Sequence, residues 1–262
     1  MNPVSVETGN SPIVLAQPHS GTWLPDHILE ALEPGARELF DTDWRIPELY
    51  EGLVPDATIV RANFNRYVID ANRPPDDASL YPGQNTTSLV PLTDFDAKSI
   101  WREEPEAAEI ERRKSEFHAP YHAALTDQLA RVKAQHGFAV LYDCHSIRSH
   151  VPYLFEGELP VLNIGTNSGV SCAPQIESAV EQACAASAFS HVLNGRFKGG
   201  WTTRHYGQPA ENIHAVQMEI AQSAYLAAEE PPFAYFPDKA AKLRDTLAAV
   251  FAGIESTFGD LT

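Results

Sequence analysis

Residues 138–142 (FAVLY) form an apolar run that stops at Asp143-Cys144-His145-Ser146. A carboxylate and an imidazole two residues apart, at the end of such a run, suit a metal ligand and the group that orients it. The plainer alternative is a turn cap at Asp143 and a hydrogen-bonded loop histidine at His145. A second unusual carboxylate is Glu219, set among Val216, Met218 and Ile220. Burying an unpaired carboxylate is costly, so Glu219 is paired with a cation, turned to solvent, or functional. In a zinc hydrolase it would serve as general base. His19 follows the apolar residues 12–16 (PIVLA), and Asn72-Arg73 ends the segment RYVIDANR.

Other chemistries fit less well. Cys144 adjoins His145, but neighbouring strand residues point to opposite faces and would not hydrogen-bond. Ser20 and Ser146 lack a Gly-x-Ser-x-Gly elbow. Lys198-Gly199-Gly200 is too short and wrongly ordered for a phosphate loop. His118 and His122 lie four apart, which suits ligation from one helix face, but no glutamate follows His118 and Pro120 lies between them. They are read as helix-surface histidines, with ligation the minority option.

The elements that must position these groups follow from the apolar pattern. Short runs at 12–16, 57–62, 66–70, 138–142, 159–166 and 215–220 predict buried strands, and ligands of open α/β sheets gather where such strands end. His19, Asn72-Arg73, His145 and Glu219 all sit at or near such ends. Helical spacing predicts helices within 24–40, 46–53, 101–135, 174–187 and 237–258. Residues 75–97, with YPGQNTT at 81–87, form a loop too long for mere connection and are expected to be a lid or wall. No internal repeat, low-complexity tract or linker is visible, so residues 1–262 are read as one domain.

A chain of 262 residues with 44% hydrophobic content can bury a sizeable core. No apolar stretch approaches the ~18 residues that would span a bilayer, and the N-terminal segment lacks the pattern of a secretory signal. Three cysteines, Cys144, Cys172 and Cys184, are too few for a disulfide framework and suggest a reducing, cytoplasmic setting. The net charge of −16 argues against a nucleic-acid partner. An anionic substrate would then depend on a few placed arginines.

Across nearly its whole length the chain resembles the N-formylglutamate amidohydrolases. The matching blocks are PHSGTWLP, DTDW, NRYVIDANRPP, YPGQNTT, LYDCHSIRS with LFEGELP, LNIGTN, NGRFKGGWTTRHYGQP and HAVQMEI. More distantly it resembles the zinc carboxypeptidase and aspartoacylase group. There an Asp-x-His-Ser segment supplies the last zinc histidine, an Asn-Arg pair binds substrate carboxylate, and a late glutamate is the base. The wider group begins with His-x-x-Glu, whereas His19 is followed by Ser20, Gly21 and Thr22, so the carboxylate ligand must come from elsewhere. Asp43 in DTDW is the choice and Asp41 the runner-up.

The resemblance implies a three-layer α/β/α domain with a mixed, largely parallel sheet, like the zinc carboxypeptidases and phosphorylase/hydrolase-like proteins. It also implies one Zn²⁺ on His19, Asp43 and His145, with Mn²⁺, Fe²⁺ or Co²⁺ tolerated by such ligands. Glu219 would be the general base, Asp143 would orient a ligand, and Arg148 or Arg66 would stabilise the oxyanion. Asn72 with Arg73 would bind one substrate carboxylate and Arg204 the other. The implied reaction is hydrolysis of N-formyl-L-glutamate to L-glutamate and formate in histidine degradation, with no nucleic-acid or membrane partner. The alternatives are a zinc amidohydrolase for another N-acyl acidic amino acid, and a non-catalytic protein of the same fold that binds an acidic metabolite.

Overall fold

The computed structural model describes residues 1–80 and 83–261. Among them the apolar runs at 12–16, 57–62, 138–142, 159–166 and 215–220 become strands β2 (Ile13–Gln17), β3 (Thr58–Ala62), β4 (Ala139–Ile147), β5 (Leu162–Gly165) and β7 (Ile213–Ala221), and two short strands, β1 (Val4–Glu7) and β6 (His191–Leu193), join them. They form one sheet in the order β1-β3-β2-β4-β7-β5-β6. Strands β3, β2, β4 and β7 are parallel, while β1 and β5 run antiparallel to β3 and β7 respectively. β4, at the centre, is buried at every position, as a strand covered on both faces must be.

Helices cover the two faces: α1 (Asp26–Ala31), α2 (Ile46–Tyr50), α3 (Ala107–Arg113), α4 (Ala119–His136), α5 (Pro174–Ala185), α6 (Trp201–Tyr206) and α7 (Pro237–Ser256). Alternation along the strands sorts the core into two layers. Leu15, Tyr142, Cys144, Val216 and Met218 pack with Ile46 and Leu49 of α2, Val180 of α5 and Phe251 of α7. Val14, Ala16, Leu141 and Ala215 pack with Ile28 of α1 and Leu125, Leu129 and Val132 of α4. The expected three-layer α/β/α arrangement is present. Each large apolar side chain that is fully buried contributes about 1.5–3 kcal/mol relative to exposure.

Two expectations change. Residues 66–70 are not a strand. The Asn65 side chain accepts from the Tyr67 amide at 3.0 Å and turns the chain, so Tyr67, Val68 and Ile69 enter the core through successive turns. Asn72-Arg73 therefore belongs to a buried loop. The helical stretch 101–135 is narrowed to α3 and α4, joined through a π turn at Lys114–His118. Pro120 has no amide hydrogen to give to the preceding turn, and a widened turn accommodates that loss. Finally, Tyr81 and Pro82 of the YPGQNTT block lie outside the described residues.

Candidate active site

Register builds the site. In the parallel pair β4–β7, His145 lies beside Glu219 and Asp143 beside Gln217, so all four side chains share one face. Cys144 and Met218 point into the opposite layer. β2 runs alongside, with Ala16 beside Asp143, and the chain leaves it through Pro18 to His19. A Cβ at Gly21 would lie 2.5 Å from the Ala62 carbonyl oxygen, so only glycine lets this turn pass the end of β3. Asp43, 24 residues further along the chain than His19, is brought back by the fold: its amide donates to the His19 carbonyl at 3.1 Å, which ties the DTDW turn to the end of β2.

The ligand-type atoms of His19, Asp43 and His145 all lie within 4.8 Å of one another, and the three residues are buried. His145 Nδ1 is 3.1 Å and His19 Nδ1 3.8 Å from Asp43 Oδ2. The far nitrogens are held by carboxylates. His19 Nε2 bonds Asp70 Oδ1 at 2.7 Å, and His145 Nε2 lies 3.0 Å from Asp143 Oδ1, an ion-pair distance without hydrogen-bond alignment. His19 Nδ1 is buried with no hydrogen-bond partner among the described residues. Two imidazole nitrogens and a carboxylate oxygen, with a buried lone pair left over, fit a divalent transition cation and leave room for a further ligand.

Electrostatics agree with that fit. Burial and the Arg66 charge hold the His19 imidazole below its ordinary range, which keeps a lone pair available. Burial also opposes charge on His145, but Asp143 and Asp43 outweigh it and hold the imidazole well above its ordinary range. A cation among these groups would take the place of that proton. Burial pushes the Glu219 carboxyl up to about 8, with His145 pulling it down and Asp43 pushing it up. Gln217 Nε2 lies 3.4 Å from Glu219 Oε2, and Gln217 is itself fixed by accepting from the Gly200 amide at 2.7 Å.

His19, His145, Gln217 and Glu219 open onto a cavity of about 80 Å³ walled by Phe95, Leu154 and Phe197 and reached by Arg66, Arg73 and Arg196. Asn72 reaches it with both ends of its amide engaged: Oδ1 accepts from the Thr202 amide at 2.8 Å and Nδ2 faces His145 Nε2 at 3.1 Å. The Asn72 amide is thus held against the Nε2 edge of the His145 ring.

Several residues singled out in the sequence lie elsewhere. Arg148 does not line the cavity, and its two terminal nitrogens are clasped by Asp96 at 2.9 and 3.3 Å. Arg204 is turned away, donating to the Gly199 and Leu80 carbonyls at 2.9 and 3.2 Å. Asp41 is not in the cluster; its Oδ2 accepts from the Phe95 amide at 3.0 Å. His118 and His122 are buried rather than on the surface, and their Nε2 atoms bond the Arg73 and Ala71 carbonyls at 2.9 and 2.8 Å. They hold the backbone on either side of Asn72. Sequence reasoning missed Arg196, eight residues from Arg204 in the same glycine-punctuated loop, and Asp70 and Gln217. The one available signal for Asp70 was its place two residues before Asn72-Arg73.

Comparison with known proteins agrees with this geometry. The family model described as N-formylglutamate amidohydrolase matches residues 11–226. An N-formylglutamate deformylase from Pseudomonas aeruginosa is 47% identical over 257 residues, covering 95% of this chain and 96% of that protein. Another from Pseudomonas putida is 47% identical over 242 residues, covering 90% of each. A crystal structure of N-formylglutamate amidohydrolase from Ralstonia eutropha JMP134 superposes with a TM-score of 0.81 at 26% identity, covering 97% of each chain. A gene product of Agrobacterium tumefaciens, 18% identical with a TM-score of 0.74 over 97% of this chain and 95% of that one, shares the fold alone.

Proposed function

The chain belongs to the N-formylglutamate amidohydrolase family, and from that premise we propose that it hydrolyses N-formyl-L-glutamate to L-glutamate and formate, using Zn²⁺ held by His19, Asp43 and His145. The observation that carries this reading is Glu219, a buried carboxylate set beside the His19, Asp43 and His145 cluster at a cavity that arginines reach. A divalent cation held there would supply Lewis acidity, for activating water and polarising a carbonyl. Glu219 accepts a proton from the attacking water. As the C–N bond breaks it returns that proton to the departing nitrogen. Arg66 lines the cavity with its guanidinium fixed by Asp70 at 2.6 Å, and is assigned to the developing oxyanion in place of Arg148. Arg73 takes one substrate carboxylate. Arg196, anchored through the Leu154 and Asn85 carbonyls at 2.9 and 2.8 Å, takes the other in place of Arg204.

Three free, buried cysteines suit a reducing, cytoplasmic setting, in which deformylation would belong to histidine breakdown. No helix among the described residues is long and apolar enough to cross a membrane.

The test is formate release from N-formyl-L-glutamate by purified protein, before and after chelation and with Zn²⁺ restored. Activity lost on chelation and recovered with the metal is the expected result. Faster turnover of N-acetylglutamate would replace formyl by a larger acyl group, and binding without turnover under any divalent metal would make the protein a binder.

A further inference from the structure

Asp70 bonds two parts of the site at once, the His19 imidazole and the Arg66 guanidinium. It is fully buried. Its Oδ1 accepts from His19 Nε2 at 2.7 Å and from the Asn72 amide at 2.8 Å. Its Oδ2 accepts from Arg66 Nη2 at 2.6 Å. Arg66 is otherwise held loosely: its Nη1 is 3.4 Å from the Asp41 carbonyl, its guanidinium lies 4.8 Å from the Phe95 ring, and its Nε has no hydrogen-bond partner among the described residues.

We infer that Asp70 is a positioning residue that couples metal binding to placement of Arg66, one carboxylate oxygen serving each. The inference rests on the metal and oxyanion roles proposed above. With Oδ1 accepting at Nε2, the His19 proton stays on Nε2 and the Nδ1 lone pair faces Asp43 and the cation position, 3.8 Å from Asp43 Oδ2. With Oδ2 on Arg66, the guanidinium is fixed at the cavity wall. An amide in place of this carboxylate can accept from only one of the two donors, because its other end is itself a donor. Asp70→Asn therefore cannot satisfy His19 and Arg66 together.

The experiment measures Co²⁺ affinity of metal-stripped protein by competition with a chromophoric chelator, and kcat and KM for N-formyl-L-glutamate at saturating Co²⁺. Wild type, Asp70→Asn, Arg66→Met and the double variant are compared. Asp70→Asn is expected to bind Co²⁺ about 10- to 100-fold more weakly. Arg66→Met, which leaves Asp70 on His19 and removes a neighbouring positive charge, is expected to bind Co²⁺ no more weakly than wild type. At saturating Co²⁺ both single variants lose kcat, and the double variant falls no more than about threefold below Arg66→Met, because Arg66 is already absent. Unchanged Co²⁺ affinity in Asp70→Asn, or equal proportional losses of kcat from that change in both backgrounds, overturns the coupling. A wild type that binds no Co²⁺ overturns the metal reading and the inference with it, whereas binding without turnover overturns the proposed reaction alone. If Asp70→Asn does not fold, nitrogen NMR of wild-type apoprotein decides. A His19 proton on Nε2 supports the inference and one on Nδ1 overturns it.

Discussion

At Glu219 a carboxyl group sits in a buried strand between Met218 and Ile220, and burial pushes it up to about 8 from an ordinary 4.5. The folded metal-free protein therefore binds more protons at this group than the unfolded chain does. Its stability should fall as pH rises from about 4.5 through about 8, the direction opposite to that of an ion-paired carboxylate. Glu219→Gln removes the titration, so in chelator its thermal midpoint should decline less than that of wild type between pH 6 and pH 8. A parallel decline in the two proteins would show that Glu219 ionises freely. With metal restored, the same variant should lose about 10²- to 10⁴-fold in kcat while retaining its zinc, read by formate assay and metal analysis. Arg73→Ala and Arg196→Met should each raise KM about tenfold or more, the loss of one charge-assisted contact of about 1.5–3 kcal/mol, again with metal content retained. Arg204→Ala serves as the comparison and should leave KM nearly unchanged. Metal lost from Arg73→Ala in step with binding would count against its assignment.

Two loops, rather than the strands themselves, complete the site. The buried loop through Asp70, Asn72 and Arg73 is held from behind by His118 and His122, whose imidazoles bond backbone carbonyls on either side of Asn72. Trp201 packs edge-on against His122 with ring centroids 4.4 Å apart, which locks the start of α6 to the same support. In front, the loop that ends at Gly200 passes so close that a Cβ there would lie 2.3 Å from Asn72 Nδ2. Asn72 cannot easily yield, since its amide is held by Thr202 at one end and meets His145 at the other. Gly200→Ala should therefore push Asn72 against the His145 ring and lower kcat/KM by about tenfold or more, since small misplacements near a catalytic centre are costly. Gly259→Ala, where a Cβ would meet nothing within 4 Å, should be silent. Equal activity in the two variants would mean that Asn72 has room to move.

For the whole molecule, the cation position lies between chain segments as far apart in sequence as His19 and His145, so an ion held there bridges the DTDW turn and two central strands. Binding to the folded state alone stabilises by about 2.7 kcal/mol at a hundredfold excess over Kd. In a chain of this size, that corresponds to roughly 5–10 °C in thermal midpoint. A scan with and without Zn²⁺ should show that rise, and His19→Ala should abolish it. An unchanged midpoint in wild type would argue against a buried site. The net charge of −16 belongs to this scale too. It disfavours an approaching anion at long range, so the proposed substrate would depend on the arginines that line the cavity.

Much of this was legible in local pattern. Apolar runs ending in polar groups mark buried strands whose ends carry chemistry, because covering both faces of a sheet demands such runs. His19, His145 and Glu219 could be picked out on that basis, and the side-by-side placement of His145 and Glu219 then follows once β4 and β7 pair. Strand β1, strand β6 and the turns through 66–70 were not legible. The first two are short, and the third looks like a strand until Asn65 caps Tyr67. Neither could local pattern decide between Asp41 and Asp43, or between Arg196 and Arg204. Each pair lies in one short segment with similar surroundings in sequence. The choice is made by distant partners: the His19 carbonyl takes the Asp43 amide, the Phe95 amide takes the Asp41 carboxylate, and the Gly199 and Leu80 carbonyls draw Arg204 away from the cavity. Residue type and periodicity thus determined which chemistry was available, whereas side-chain direction in the loops depended on hydrogen bonds that only the folded chain brings within reach.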